Sequence, residues 1–236
     1  MQQKQQSTRA QAQPERRRAT SAAHDTKRLE IIERCAQLFD AGGYHRATMQ
    51  LLADEVGLGK PTLYHYFASK TDILYAIHQI QIAALLGGID SAQRRNLTPQ
   101  QQLYHAARDI LEQIAQHPGY VRAFFEHYGE LETAKRAEIR ARRNEYFQRV
   151  CDIIRAGMAS GVFRKLDVEI AAYGFLGTCS WAYQWYRMVA GKQSAHSVAD
   201  ALCKNFLLGL EKRVARGARA AARRRGSAVV GQAIRS

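Results

Sequence analysis

The stretch most able to do chemistry is Lys60–Tyr66, which reads KPTLYHY. In a helix of about 100° per residue, Thr62, Tyr64 and His65 lie on or beside the face opposite the apolar Leu63. Their hydroxyls, methyl group and imidazole can contact base edges, thymine methyls and phosphates together. The pattern predicts a DNA-reading surface, and the alternative is an ordinary solvated face on a small helix pair.

Two short helices joined by glycines position this surface. Thr48 supplies the side-chain oxygen of a helix N-cap, and apolar residues from there to Val56 share one face. Gly57 ends this helix, because glycine adopts left-handed dihedrals without a Cβ penalty. A second helix begins at Lys60, with Pro61 in its first turn, where a missing N–H costs nothing. The spacing is typical of a helix-turn-helix and its recognition helix.

The surface expected to face DNA extends beyond the recognition helix. We expect contacts with base edges or thymine methyls from Thr62, Tyr64 and His65. Contacts with phosphates are expected from Thr48, Lys60, Tyr66 and Lys70. One of those lysines opens a further helix, where free N–H groups also favour an anion. The full set is Thr48, Gly59, Lys60, Pro61, Thr62, Tyr64, His65, Tyr66 and Lys70.

The segment GLGKPTLYHYFASK, residues 57–70, resembles the signature of the TetR family of one-component transcriptional regulators. The resemblance covers Leu29–Ile77, and beyond Ile80 only the architecture is comparable. Many relatives have serine where Gly59 stands, so any phosphate contact there must come from the backbone N–H. The resemblance implies a homodimeric repressor on a palindromic double-stranded operator. It also implies an effector in the C-terminal domain that changes the spacing of the recognition helices.

The predicted fold class is all-α, because no segment shows sustained β alternation and glycine and proline are scarce between residues 26 and 213. We expect about nine helices, in an N-terminal three-helix helix-turn-helix DNA-binding domain and a C-terminal helical ligand-binding and dimerisation domain. One helix should begin at Thr26, and another should weaken or end at Gly87 and Gly88. The expected divisions are a disordered basic arm at 1–25, the DNA-binding domain at 26–75, the second domain at 76–214 and a disordered basic tail at 215–236.

The net charge of +14 lies mostly in the two termini. Residues 26–75 hold as many acidic as basic side chains, so the helix-turn-helix is inferred from its pattern and not from its charge. The basic arm could lie in a minor groove, and the basic tail could bind phosphates nonspecifically. The alternative for the arm is a solubilising segment.

A dimer interface is predicted from Asp167–Ala190, where small residues alternate with large aromatic ones. A helix so apolar on nearly all sides must be covered twice, once by its own domain and once by a second subunit. A last helix from Ser194 to Val214 presents a stripe that includes Leu202 and Phe206. Two such helices from each subunit would form a four-helix interface.

An effector cavity is predicted from the aromatic residues of the second domain, which come from several helices and could converge. A largely apolar or aromatic molecule is expected, with a lipid-like acid or its thioester as one candidate. The alternative is that the rings simply fill the core. The candidate residues are Tyr104, Phe124, Phe125, Tyr128, Phe147, Tyr173, Trp181 and Trp185.

No catalytic constellation, metal site or cofactor site is predicted. The four cysteines have no metal-ligand spacing and are expected to be reduced core residues, with a redox sensor as the alternative. No signal peptide or membrane span is expected, so the protein should be cytoplasmic. Two competing functions are a ligand-independent architectural DNA-binding protein and a small-molecule-binding or catalytic helical domain with a vestigial helix-turn-helix. The exposed chemistry of Lys60–Tyr66 argues against the second.

Overall fold

The structure is a computed structural model that describes the backbone of residues 2–210 and the side chains of residues 22–210. Within that range the chain forms ten α-helices, two short 3-10 helices and no β-strand, which confirms the all-α fold. The α-helices are α1 Gln2–Gly42, α2 Met49–Glu55, α3 Lys60–Tyr66, α4 Lys70–Arg94, α5 Pro99–Gln116, α6 Pro118–Glu126, α7 Thr133–Ala159, α8 Val168–Ser180, α9 Ala182–Val189 and α10 Ala195–Leu210. The 3-10 helices are Tyr44–Arg46 and Tyr128–Glu130.

Helix α1 begins at Gln2 and not at Thr26, so it includes most of the segment 1–25. The segment is rich in Gln, Ala and Arg, whose helix propensities are high, and the helix continues through Pro14 despite the cost of an internal proline. The predicted basic tail at 215–236 lies outside the described residues.

The helix-turn-helix is held by an apolar core shared by α1, α2, α3 and the first turns of α4, with Leu52 and Leu63 fully buried. Thr48 caps α2, where its Oγ1 accepts the Leu51 amide at 3.2 Å. Gly57 follows α2 with φ of 67°, a left-handed conformation that glycine adopts without a Cβ clash. These local features fix α3 with one face inward and the other in solvent.

Helix α4 runs unbroken through Gly87 and Gly88 to Arg94, which corrects the expected end of that helix. Gly88 lies against α5, where an added Cβ would be 2.0 Å from the Oδ2 atom of Asp109. The missing side chain allows α4 and α5 to approach closely, so this glycine serves packing.

Helix α4 is also the one described helix that is long and apolar enough to cross a bilayer. However, 56% of the apolar window is buried within the fold, as in a core helix.

The second apolar core lies among the later part of α4 and helices α5 to α10. Helix α10 packs along α5, and α8 packs against α7. The helix predicted over 167–190 is divided at Trp181 into α8 and α9, which accounts for the tenth helix. The division lets α9 bury Ala182 and Tyr186 while it contacts α5 and α6.

Candidate nucleic-acid interface and effector cavity

The outward face of α3 carries the side chains predicted to read bases. Thr62, Tyr64 and His65 are exposed, whereas Leu63 between them is fully buried. Tyr64 keeps 46% of its surface in solvent, which is high for a ring of that size. A two-turn helix anchored by one buried leucine and presenting hydroxyl, phenol and imidazole groups can enter a major groove.

The N-terminal end of α3 is open to an anion. Gly59 precedes the helix without a side-chain cap, as predicted, and Pro61 occupies the first turn. Lys60 is exposed at the same end. The positive end of the helix dipole, uncapped amides and an ammonium therefore share one corner of the surface.

Two further residues assigned to phosphates border α3. The Thr48 hydroxyl accepts a hydrogen bond as the N-cap of α2, and its side chain is exposed, so the hydroxyl proton can still be donated outward. Tyr66 is half-buried and stacks on His24 of α1, with ring centroids 4.7 Å apart and planes at 16°. Helix α1 therefore passes beside the end of the recognition helix.

Lys70 is the first residue of α4, and its ammonium is bound by backbone carbonyls within the DNA-binding domain. Its Nζ donates to the carbonyl oxygens of Tyr44 and Ala47, both at 3.1 Å, and to that of His45 at 3.4 Å. The ammonium also lies 4.4 Å from the centroid of the Tyr44 ring. Since an ammonium has three N–H donors, all of them are used inside the domain. Lys70 therefore ties α4 to the 3-10 helix before α2, and its phosphate contact stays a prediction.

An apolar cavity of about 180 Å³ lies in the second domain, between α4, α5, α6, α7 and α8. Among the eight aromatic residues predicted to line it, Phe124 and Phe125 do so. The lining residues are Gln81, Ile82, Leu85, Ile110, Ile114, Val121, Phe124, Phe125, Arg143, Tyr146, Leu176 and Ser180.

The other six predicted aromatic residues lie elsewhere, because each is used in packing or faces solvent. Tyr104 packs against the second core. Tyr128 donates its hydroxyl to the Arg136 carbonyl, and Phe147 packs on Tyr173 with centroids 4.4 Å apart. Tyr173 on α8 and Trp181 just after it are largely exposed, and Trp185 on α9 is half-buried.

Four polar side chains of the cavity were missed by sequence reasoning, namely Gln81, Arg143, Tyr146 and Ser180. Arg143 is partly buried, and burial lowers its pKa to about 10. Tyr146 and Gln81 are 5% and 3% exposed, and burial raises the pKa of the Tyr146 phenol. The signal available in the sequence was the spacing of Arg143 and Tyr146, which places them one turn apart on one face of α7.

A larger hollow of about 460 Å³ lies at the surface of the DNA-binding domain, between α1 and the start of α2. It is an open groove whose residues include Leu38, Arg46 and Leu51. No predicted effector residue lies there, so the smaller and more enclosed cavity is the better candidate for an effector.

Helix α6 connects the cavity with the DNA-binding domain. Val121 and Phe124 line the cavity, while Gly119 packs on α1 so closely that an added Cβ would be 2.4 Å from the Ala36 carbonyl oxygen. Asp40 of α1 pairs with Arg122 of α6 at 2.8 Å and with Arg187 of α9. Helix α6 thus contacts both the cavity and α1.

A second link joins the domains at α7. Lys135 pairs with Asp72 near the start of α4, and Tyr75 donates its hydroxyl to Glu138. Burial of the Asp72 carboxyl acts to raise its pKa, but hydrogen bonds from Lys135 and Ser69 outweigh that effect, so the pKa is lowered.

The cysteines and histidines show no arrangement for metal or thiol chemistry. Within the described residues, no group of three His, Cys, Asp or Glu side chains could hold a metal ion. All four cysteines are free and buried, and burial raises the thiol pKa of Cys35, Cys179 and Cys203 to about 12. Thiols of such high pKa are poor nucleophiles at neutral pH, which argues against a redox sensor.

Comparison with known proteins places this geometry in context. A family model described as "Bacterial regulatory proteins, tetR family" matches residues 31–77, and one described as "Tetracyclin repressor-like, C-terminal domain" matches residues 96–210. The HTH-type transcriptional activator FasR of Mycolicibacterium smegmatis is 28% identical over 158 residues, which cover 66% of this chain and 72% of FasR.

Two more relatives extend the similarity over most of the chain. The HTH-type transcriptional repressor KstR2 of Mycobacterium tuberculosis is 25% identical over 191 residues, covering 80% of this chain and 94% of KstR2. The crystal structure of the TetR family regulator PfmR from Thermus thermophilus superposes with a TM-score of 0.72 at 30% identity. It covers 77% of this chain and 99% of PfmR.

Proposed function

This chain belongs to the TetR family of DNA-binding transcriptional regulators, and from that membership we propose a specific mode of action. The protein is a homodimeric, cytoplasmic repressor on a palindromic double-stranded operator, and a largely apolar small molecule releases it. The observation that carries this proposal is the exposed face of α3, where Thr62, Tyr64 and His65 stand on a helix anchored by a buried leucine.

Two-fold assembly is supported by an apolar face that the described part of the chain leaves uncovered. Ile170, Tyr173 and Trp181 on or next to α8, and Leu208 on α10, are 62–70% exposed. The α8 residues follow helical spacing and so share one face. Burying such a face between two subunits removes apolar surface from water and brings two recognition helices to one duplex.

The predicted stripe of Leu202 and Phe206 on α10 contributes only partly to this exposed apolar face. Leu202 and Phe206 are half-buried within their own subunit, and Phe206 packs against Phe175 with centroids 5.4 Å apart. The proposed interface is therefore centred on the outer residues of α8 and on Leu208.

Effector release is supported by the position of α6. The same short helix lines the cavity and packs without a gap on α1, which contributes to the core beneath α3. A ligand shifts the equilibrium only by its differential affinity for the two states, and moving it from 99:1 to 1:99 takes roughly 5.5 kcal/mol. An effector that fits the cavity better in the DNA-incompetent arrangement would supply that difference.

The DNA part of the proposal is tested by selecting bound fragments from genomic DNA and measuring affinities of variants for the selected site. Lys60→Ala should weaken binding to all sequences and lower the salt slope by about one unit, whereas Thr62→Ala and His65→Ala should change sequence preference. Lys192→Ala, at an exposed lysine of the second domain, is the matched control and should change neither.

Two outcomes would contradict this assignment. Unchanged affinity and preference in both Thr62→Ala and His65→Ala would show that α3 does not read bases. Binding without any sequence preference that collapses steeply with salt would support the architectural alternative instead.

A further inference from the structure

The effector cavity contains an arginine without an acidic partner. The guanidinium carbon of Arg143 lies 3.8 Å from the centroid of the Phe124 ring and 4.6 Å from that of Tyr128. Its Nη2 donates to the Phe124 carbonyl at 2.7 Å. Among the described residues no carboxylate lies within 4.0 Å of it, in contrast to Arg149 on the same helix, which pairs with Asp90 at 3.2 Å. A partly buried cation is usually paired with an anion, and Arg143 has only a carbonyl and ring faces as partners here.

Two neighbours in the cavity also lack partners. The Tyr146 hydroxyl and the Gln81 Oε1 atom are buried without a hydrogen bond to any described residue. Both side chains line the cavity, Tyr146 one turn after Arg143 on α7 and Gln81 across from them on α4. More than nine in ten buried polar groups have a partner in folded proteins. Three incompletely satisfied groups around one cavity point to a polar end on whatever fills it.

We propose that the effector is a small carboxylic acid, bound as its anion with the carboxylate at Arg143. This proposal rests on the proposed function, because it names the chemical class of that effector. The guanidinium supplies a charged N–H donor, and the Tyr146 hydroxyl donates to the same carboxylate. The amide of Gln81, whose oxygen and nitrogen ends are interchangeable in assignment, can donate to the second oxygen.

The walls and the size of the cavity define the rest of the molecule. The apolar lining of the cavity suits a hydrocarbon chain or a single ring. This lining consists of Ile82, Leu85, Ile110, Ile114, Val121 and Leu176. A volume of about 180 Å³ lies below the roughly 300–1,000 Å³ of most ligand pockets. A short-chain or one-ring acid fits this space.

Calorimetric titration of the full-length protein tests the proposal with matched probes. Hexanoate and 3-phenylpropanoate are compared with hexanamide and 3-phenylpropanamide, which keep the skeleton and remove the charge; butanoate and octanoate vary the length. The acids should bind at least tenfold more tightly than the amides. Arg143→Met should lose at least tenfold in acid affinity with no change for the amides, and Tyr146→Phe should lose severalfold.

Arg149→Met is the matched control, because it removes an arginine from α7 that is paired outside the cavity, and its acid affinity should equal that of the wild type. Circular dichroism and operator binding verify that each variant is folded. Equal affinities for acids and amides, or unchanged acid affinity in Arg143→Met, would overturn the proposal.

The remaining outcomes separate the two proposals. If no acid of the series binds at millimolar concentration, the polar groups of the cavity are hydrogen-bonded to water instead, and the acid proposal is wrong. If only uncharged compounds bind and release the operator, the acid proposal falls and the proposed function stands. The proposed function itself would be contradicted if the wild type showed no sequence-specific DNA binding, whether or not the acids bind.

Discussion

Removing the Tyr146 hydroxyl should stabilise the free protein. This hydroxyl is buried beside the cavity without a hydrogen-bond partner among the described residues. A buried polar group left unpaired costs about 1–3 kcal/mol relative to its hydrated state in the unfolded chain. Phenylalanine keeps the ring and removes only that group. We therefore expect Tyr146→Phe to raise the free energy of unfolding by about 1 kcal/mol, toward the low end because a water can enter the cavity.

The assay is urea or thermal unfolding of wild type and variant at one fixed protomer concentration, since the stability of a dimer depends on concentration. For a chain of this size, about 1 kcal/mol corresponds to a rise of roughly 2–4 °C in Tm. Tyr120→Phe is the control, because Tyr120 is equally buried but its hydroxyl is hydrogen-bonded to Glu33. That variant should lose about 1–2 kcal/mol.

The two variants differ only in whether the deleted hydroxyl has a partner, so the sign of the effect is the decisive result. A loss of stability in Tyr146→Phe comparable to that of Tyr120→Phe would show that the hydroxyl is bonded in the free protein. The view of the cavity as polar-deficient would then be wrong.

Three further perturbations test other parts of the structure. Lys70→Ala should lower the free energy of unfolding by about 1–2 kcal/mol, because it releases three backbone carbonyls, and should leave the salt slope of DNA binding unchanged. A salt slope reduced by one unit at unchanged stability would show instead that Lys70 contacts a phosphate. Burial lowers the pKa of His78 to about 3 from its ordinary 6.5, so protons bind the unfolded chain preferentially. The contribution of neutral His78 to the free energy of unfolding is complete above pH 6.5 and decreases as pH falls toward 3, by at most about 1.4 kcal/mol per pH unit. His78→Gln should therefore make stability depend less on pH between 6.5 and 3 in acid unfolding, and an identical profile would contradict this. Gly119→Ala should lower the free energy of unfolding by about 2 kcal/mol or more, because the new Cβ pushes α6 away from the α1 backbone. Gly87→Ala is the control, since its new Cβ would meet no atom within 4 Å, and it should be neutral or stabilising in thermal melts. Equal melting temperatures of the two variants would argue against a tight α1–α6 contact.

Much of the DNA-binding part could be derived from the sequence because its determinants are local. The cap at Thr48, the left-handed turn at Gly57 and the burial of Leu63 depend on residues within a few turns of one another. Helical periodicity of 3.6 then determines which side chains face outward, so the exposure of Thr62 and His65 followed from spacing alone.

Lys70 shows where that local reasoning ends. Its position at the first turn of α4 suggested an anion contact, but carbonyls more than twenty residues earlier in the chain come within reach of its ammonium. In the same way, Gly88 reads as a helix end until α5 is placed against it. Such partners are chosen by how helices pack, and spacing along one helix does not contain that information.

The cavity is the clearest case of a feature that only the tertiary structure decided. Aromatic composition predicted that a cavity could form, yet Trp181 faces solvent while Arg143 lines the cavity. Which side of α7 is buried depends on the angles at which α4, α6 and α8 meet it. The energy that holds an unpaired arginine in such a place comes from the packing of the whole domain and not from its neighbours in sequence.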